Sequence, residues 1–139
     1  MASRPTYLLD SFALLAYLSD EPGGARVQEV FALAKGRKCR LVMSLVDFGE
    51  VLYITERTRG LPAAQAVHAL AESLPLELLE VGRDLIMDAA HIKAFHLLSC
   101  ADAFAVAVAV REGAIILTGD PEYQTVEDLA KVEWLVAHR

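Results

Sequence analysis

A chain of 139 residues that is 55% apolar is long enough to close one hydrophobic core and too apolar to stay disordered. Its net charge of −6 argues against a general-purpose binder of nucleic acid, and charges or turn residues interrupt every apolar stretch short of a membrane span. Cys39 and Cys100 stand far apart without zinc-ligand spacing, which excludes a disulfide framework and points to free thiols in a reducing compartment.

The opening segment, Met1 to Asp10, has one arginine and a very short apolar run ending in an acid, unlike a secretory signal. A cytoplasmic protein is the expectation. Tyr7-Leu8-Leu9 is predicted as a buried strand between Pro5 and Asp10. Ser11 to Leu18 reads as a helix closed by Pro22-Gly23-Gly24, and Ala25 to Lys35 as a second, with Val27, Val30, Phe31 and Ala34 on one face. Leu41-Val42-Met43 is the next strand, ending in Ser44, a favourable helix N-cap. A long helix from Leu45 to Arg59 follows, stopped by Gly60. Pro62 opens another helix to about Leu74. Leu76 to Val81 is a short strand and Arg83 to Phe95 a helix.

Asp102 to Arg111 alternates Ala with Val behind Phe104. Both partners of the alternation are apolar and alanine dominates, so helix is predicted over strand, with Gly113 as its end. Ala114 to Leu117 is a strand, and Val132 to Val136 a last one. Strands separated by helices predict an α/β sandwich with a mostly parallel sheet. With no repeat or linker, residues 1–139 read as one domain.

Parallel α/β sheets bind ligands at the carboxyl ends of their strands. Asp10 follows the first strand and Asp120 stands just beyond Ile115-Ile116-Leu117; Asp102 heads the helix leading into that strand, and Glu50 lies near the start of the helix after the second. Carboxylates brought together repel one another and call for cations. A donor set of oxygens, without Cys or His, suits Mg²⁺ or Mn²⁺, and such ions activate water and stabilise a leaving oxygen on phosphorus. Each acid also has an ordinary explanation. Asp10 and Asp102 can cap helices, Asp120 can serve a turn, and Glu50 can be a solvated helix residue. The set of four carries the reading.

The four acids sit in motifs that resemble those of PIN-domain nucleases. Tyr7-Leu-Leu-Asp10-Ser11-Phe-Ala-Leu-Leu-Ala-Tyr-Leu resembles the opening of that family, where an aspartate ends the first strand ahead of Ser or Thr and a small-residue helix. Ser44-Leu-Val-Asp-Phe-Gly-Glu50-Val resembles the second motif and Ser99-Cys-Ala-Asp102-Ala-Phe-Ala-Val-Ala the third. Leu117-Thr118-Gly119-Asp120-Pro121-Glu122-Tyr123 resembles the fourth, a Thr-x-Asp turn followed by an aromatic. Within the family, the short chain is similar to VapC-type toxins of bacterial toxin–antitoxin pairs.

The resemblance implies a three-layer sandwich and a Mg²⁺- or Mn²⁺-dependent endoribonuclease, with Asp10, Glu50, Asp102 and Asp120 as metal-binding catalytic acids. It also implies a homodimer and a VapB-type antitoxin as partner. Ser11 and Thr118 would be polar helpers that orient a carboxylate or a metal-bound water; cap and turn roles are their ordinary alternatives. The expected restraint is an antitoxin tail delivering an arginine to the acids, with apolar anchors around Phe12, Leu15, Phe31 and Tyr53. Asp47, Glu122, Glu127 and Asp128 are taken as solvated, and Arg37, Lys38 and Arg40 as the densest basic patch for RNA, or else a solvated loop cluster.

Rival readings find less support. A receiver domain would pair acids at the first strand and carry a lysine after a late one; here Leu9 precedes Asp10 and the late strand ends in Thr118-Gly119. A haloacid-dehalogenase-like phosphatase needs an acid two residues after the first, where Phe12 stands. His91 and His96 miss the four-residue spacing of two ligands on one helix face, and His68 and His138 have no evident partner. An RNA-processing PIN nuclease outside a toxin–antitoxin pair, and a catalytically idle PIN-like binding module, remain the alternatives.

Overall fold

The apolar runs read as strands all enter one sheet. The structure, a computed structural model, describes residues 4–136. In chain order it contains β1 (Thr6–Leu9), α1 (Ser11–Leu18), α2 (Gly24–Lys35), β2 (Arg40–Ser44), α3 (Leu45–Arg59), α4 (Leu61–Ser73) and β3 (Glu77–Leu79). Then follow α5 (Arg83–Phe95), α6 (Cys100–Glu112), β4 (Ile115–Thr118), a 3₁₀ turn (Pro121–Val126) and β5 (Val132–Trp134). Predicted and observed bounds agree within a residue or two at most ends. The outer strands β3 and β5 are shorter than expected, because their neighbours pair with them over only a few residues. The 3₁₀ turn was not foreseen. His138 lies outside the described residues.

The strand order is β3-β2-β1-β4-β5 and every pairing is parallel. The chain runs outward from β1 to β3, then returns to the other side of β1, so the topological switch point lies between β1 and β4. Two apolar clusters cover the two faces. Leu8, Val42 and Ile116 pack beneath α5 and α6, while Leu9, Leu41, Met43 and Leu117 pack beneath α1 to α4. This alternation along each strand is the period-2 geometry of a sheet buried on both faces. The result is the expected three-layer sandwich.

Helix α6 is buried on nearly all sides, from Ala101 to Ala109. Its alanines let it lie close to the sheet, and its uniform apolarity is that of a central helix rather than a strand. Ser99, with its hydroxyl on the Asp102 N–H, caps it, and Gly113 ends it at φ 63°. Ser44 caps α3 likewise, accepting from the Val46 N–H. Among the described residues no single helix is long and apolar enough to cross a membrane.

Candidate metal centre

The carboxyl ends of β1 and β4 deliver the first two acids side by side. Asp10 leaves β1 in extended conformation and caps α1, its Oδ1 accepting from the Ala13 N–H at 2.9 Å. Its Oδ2 accepts from the Thr118 hydroxyl at 2.5 Å. Thr118 Oγ1 in turn accepts from the Asp120 N–H at 3.0 Å, so one hydroxyl fixes both ends of the pair. Between them Gly119 is a steric requirement: a Cβ there would sit 2.3 Å from the Phe12 ring. The cap alternative for Asp10 is therefore real but incomplete, since its second oxygen is held by β4.

Asp102 is the third residue of α6 and does not cap it; Ser99 does. Its Oδ1 accepts from the hydroxyl of Tyr123, a fully buried ring on the 3₁₀ turn, at 2.9 Å. Asp120 heads that turn and accepts from the Glu122 N–H at 3.0 Å. Glu122, exposed, accepts weakly from the Ser99 N–H at 3.3 Å. Oxygens of Asp102, Asp120 and Glu122 all lie within 4.8 Å of one another, the spacing of ligands around one ion. Glu50 is half-buried on α3, its Oε2 3.4 Å from the exposed Tyr53 hydroxyl.

Of the acids expected to be solvated, one is buried and another, exposed as expected, joins the cluster. Glu122 joins the triad just described. Asp47, on the first turn of α3, is 0% exposed. The Ser11 hydroxyl lies 3.3 Å from its Oδ1 and 3.2 Å from its backbone carbonyl, while Oδ2 has no hydrogen-bond partner among the described residues. Spacing hid both. Asp47 stands three positions before Glu50, and Glu122 two after Asp120, where a solvated acid on a helix or turn reads the same. Tyr123 was noted only as the aromatic of its motif; the sequence carries no sign that its hydroxyl holds Asp102.

Electrostatics follow from this crowding. Burial lifts the Asp10 carboxyl to about 7, against the pull of the Thr118 and Ala13 bonds, and the Asp120 charge adds to the rise. Burial also lifts Asp102 to about 8, followed by its contact with Glu122, while Tyr123 and Ser99 act in the other direction. Burial first, then Asp10, Asp102 and Glu50, hold Asp47 well above the usual carboxylate range. Burial first, then the charges of Asp10, Asp102 and Asp47, push the Tyr123 phenol up. Among the described residues none of these acids makes an ion pair.

The family model for the PIN domain matches residues 7–129. This chain belongs to the PIN-domain family. No curated protein sequence matches it. Its fold is similar to that of DNA-bound VapBC from Salmonella typhimurium, with a TM-score of 0.74, 17% identity, and coverage of 96% of this chain and 100% of that one. A toxin–antitoxin complex from Klebsiella pneumoniae gives 0.70 and 14% identity over 95% and 99% of the two chains. VapC20 of Mycobacterium tuberculosis, described as a toxin that cleaves the sarcin–ricin loop, gives 0.68 and 22% over 85% and 92%. At such identities the likeness is one of fold.

The PIN-domain acids fit a hard divalent cation. Every donor is an oxygen, three come within ligand spacing, and one buried carboxylate oxygen has no partner.

Other expectations need correction. Phe31 is buried against Tyr17, ring centroids 4.8 Å apart, and offers no anchor to a partner. Arg40 opens β2 at the amino end of the sheet, away from the acids, and is engaged by Glu77 and Glu112. The cluster it forms with Arg37 and Lys38 is not beside the site. His68 and His91 are exposed and His96 is half-buried.

Proposed function

We propose that this PIN-domain protein is a Mg²⁺- or Mn²⁺-dependent endoribonuclease and the toxin of a VapBC-type pair. The observation that carries the reading is the convergence of Asp10, Asp102 and Asp120, with Glu122, at the sheet's switch point without a single cationic partner among the described residues. Asp102, Asp120 and Glu122 would hold the ion most directly, with Asp10 and Glu50 completing the charge around it. A bound divalent ion would supply an activated water and stabilise charge on the phosphorus oxygens.

The chain's own groups have distinct tasks. Thr118 holds Asp10 and the Asp120 backbone in fixed relation, so their carboxyls need little reorganisation on binding. Tyr123 orients Asp102 by its hydroxyl. Ser11 serves Asp47 rather than the four acids. Thr118 thus takes the helper role by holding a carboxylate, and Ser11 does so through Asp47.

The antitoxin reading draws support from a groove of about 290 Å³ between α1, α3 and α4, lined by Phe12, Leu15, Ile54, Thr58 and Arg59 among others. Phe12 and Leu15 are two of the anchors expected from sequence. A homodimer is favoured by Ile86, Met87, Phe95 and Leu97, large apolar side chains left exposed on and after α5. RNA as substrate and a cytoplasmic setting belong to the same proposal.

The test is cleavage of RNA by purified protein in Mg²⁺ or Mn²⁺, abolished by EDTA and by Asp102→Asn. Cleavage that survives both, with contaminating nuclease excluded, refutes the reading.

A further inference from the structure

We propose that Asp47 is a further carboxylate of the metal centre, its Oδ2 accepting a hydrogen bond from a water on the cation. This rests on the metal-dependent reading above and extends it to a residue outside the four acids.

Asp47 is built into its place rather than left at a surface. The N-cap of Ser44 fixes the first turn of α3, which points the Asp47 side chain inward, and the side chain is 0% exposed. Ser11, the residue after Asp10, holds it through Oδ1 and its own backbone carbonyl. One oxygen is thus secured from the β1–α1 junction. The other is buried and has no hydrogen-bond partner.

A buried carboxylate oxygen without a donor is costly, and native proteins leave few. The surroundings of this one narrow the missing partner. Its strongest charged neighbours are Asp10, Asp102 and Glu50, all acidic, and among the described residues no lysine or arginine pairs with it. Asp10 is committed to Ala13 and Thr118, and Asp102 has one oxygen on Tyr123. None of those acids, when ionised, has a proton to give. A cation, or a water polarised by one, is the donor that satisfies Asp47 and relieves its neighbours together. Asp47 is not among the three acids whose oxygens lie within 4.8 Å of one another, so the contact runs through water rather than directly to their ion.

Outer groups of this kind orient ligands and tune metal affinity, commonly by a factor of about 10–100. Asp47 is therefore a positioning residue. Its effect appears in metal binding before it appears in catalysis.

The experiment measures Mn²⁺ binding by calorimetry for the wild type, Asp47→Asn and Glu50→Gln, together with the melting temperature of each metal-free protein. Asp47→Asn keeps the shape and the Ser11 acceptor but turns an NH₂ donor toward the acids. Its metal-free form is expected to melt at or above the wild type, while its Mn²⁺ affinity falls about tenfold or more. Affinity within twofold of wild type overturns the proposal and makes Asp47 a structural residue. Should Asp47→Asn fail to fold, Asp47→Ser, which leaves room for a water, carries the same comparison. Absence of Mn²⁺ binding by the wild type itself would instead defeat the metal-dependent reading, so the two failures are distinct.

Discussion

The two ends of this sheet treat acidic residues in opposite ways. At the amino end, Arg40 holds Glu77 at 2.6 Å and Glu112 at 2.8 Å, and on the α2 side Arg26 holds Glu133 at 2.8 Å. At the carboxyl end, Asp10, Asp47, Asp102, Asp120 and Glu122 gather with hydroxyls and backbone N–H groups as their only donors among the described residues. The fold therefore neutralises acids where they serve structure and leaves them uncompensated where strand ends and helix starts open toward solvent. The difference is costly, since burial and mutual repulsion raise the pKa values of Asp10, Asp47 and Asp102. Such a cost persists at a site that trades stability for a ligand.

The largest expected effect comes from removing one charge at the carboxyl end. Asp102→Asn keeps the acceptor for Tyr123 and offers a donor to Glu122, so the fold should be spared. RNA cleavage, measured by single-turnover kinetics, should fall by about a hundredfold or more, the scale on which lost electrostatic stabilisation registers. The metal-free melting temperature should hold or rise. Lowered stability with intact cleavage would make Asp102 a structural acid like Glu112.

Next in size is the metal itself. An ion that binds only the folded chain should stabilise it by about 2.7 kcal/mol at a hundredfold excess over Kd, or roughly 10 °C in melting temperature for a chain of this size. EDTA should return the protein to its metal-free value, and Asp102→Asn should show a smaller shift. No shift with Mg²⁺ or Mn²⁺ would erase the contrast between the two ends.

A third effect is a pH dependence, several degrees in size. In the folded chain Asp10 titrates near 7 and Asp102 near 8, both raised above a reference value of 3.8. Between pH 4 and 8, on the order of those values, the folded state holds more protons than the unfolded one. The metal-free protein should therefore lose stability as pH rises through that window. Below about 4 both states are protonated, and above about 8 both are ionised, so the curve should flatten on either side. A saturating metal ion should largely abolish the slope, since ligands that must lose their protons to bind it are then ionised in both states across this window. A flat profile without metal would mean the acids are better solvated than their burial implies.

These effects also mark what was legible beforehand. Elements with strong local signals were readable: the runs of β1, β2 and β4, the Ser44 cap, the Gly60 and Gly113 stops. Asp10, Asp102 and Asp120 could be picked out as candidates because each follows a strand or stands in the first turn of a helix, whereas Glu50, further along α3, rested on its motif alone. Asp47 and Glu122 could not, since whether an acid on a first turn faces solvent or sheet depends on which neighbour packs above it. Here Ser11 from α1 decides the first and the 3₁₀ turn at Pro121 the second. Ser99 rather than Asp102 caps α6 because the helix begins two residues earlier than its apolar stretch suggests. The basic cluster was ambiguous for a similar reason. Its charge density is visible in sequence, but its place at the opposite end of the sheet follows only from strand direction.

The smallest expected effect is at that opposite end, from Arg40→Ala. Its ion pairs are partly exposed, with side-chain accessibility of 36% for Arg40, 52% for Glu77 and 19% for Glu112. Exposed pairs of this kind contribute up to about 1 kcal/mol each, so the melting temperature should drop by a few degrees at most. The loss should shrink further in high salt, which screens charges at a surface. Strand β2, at about 3.3 Å per residue, separates Arg40 from the acid-bearing end by roughly 13 Å, beyond the screening length of about 8 Å in physiological salt. Mn²⁺ affinity should therefore match the wild type, and RNA cleavage should stay within about twofold. Cleavage that falls tenfold while Mn²⁺ affinity is unchanged would assign the amino end to RNA contact. The substrate would then have to span the length of the strands, and the basic cluster would regain the role its charge density first implied.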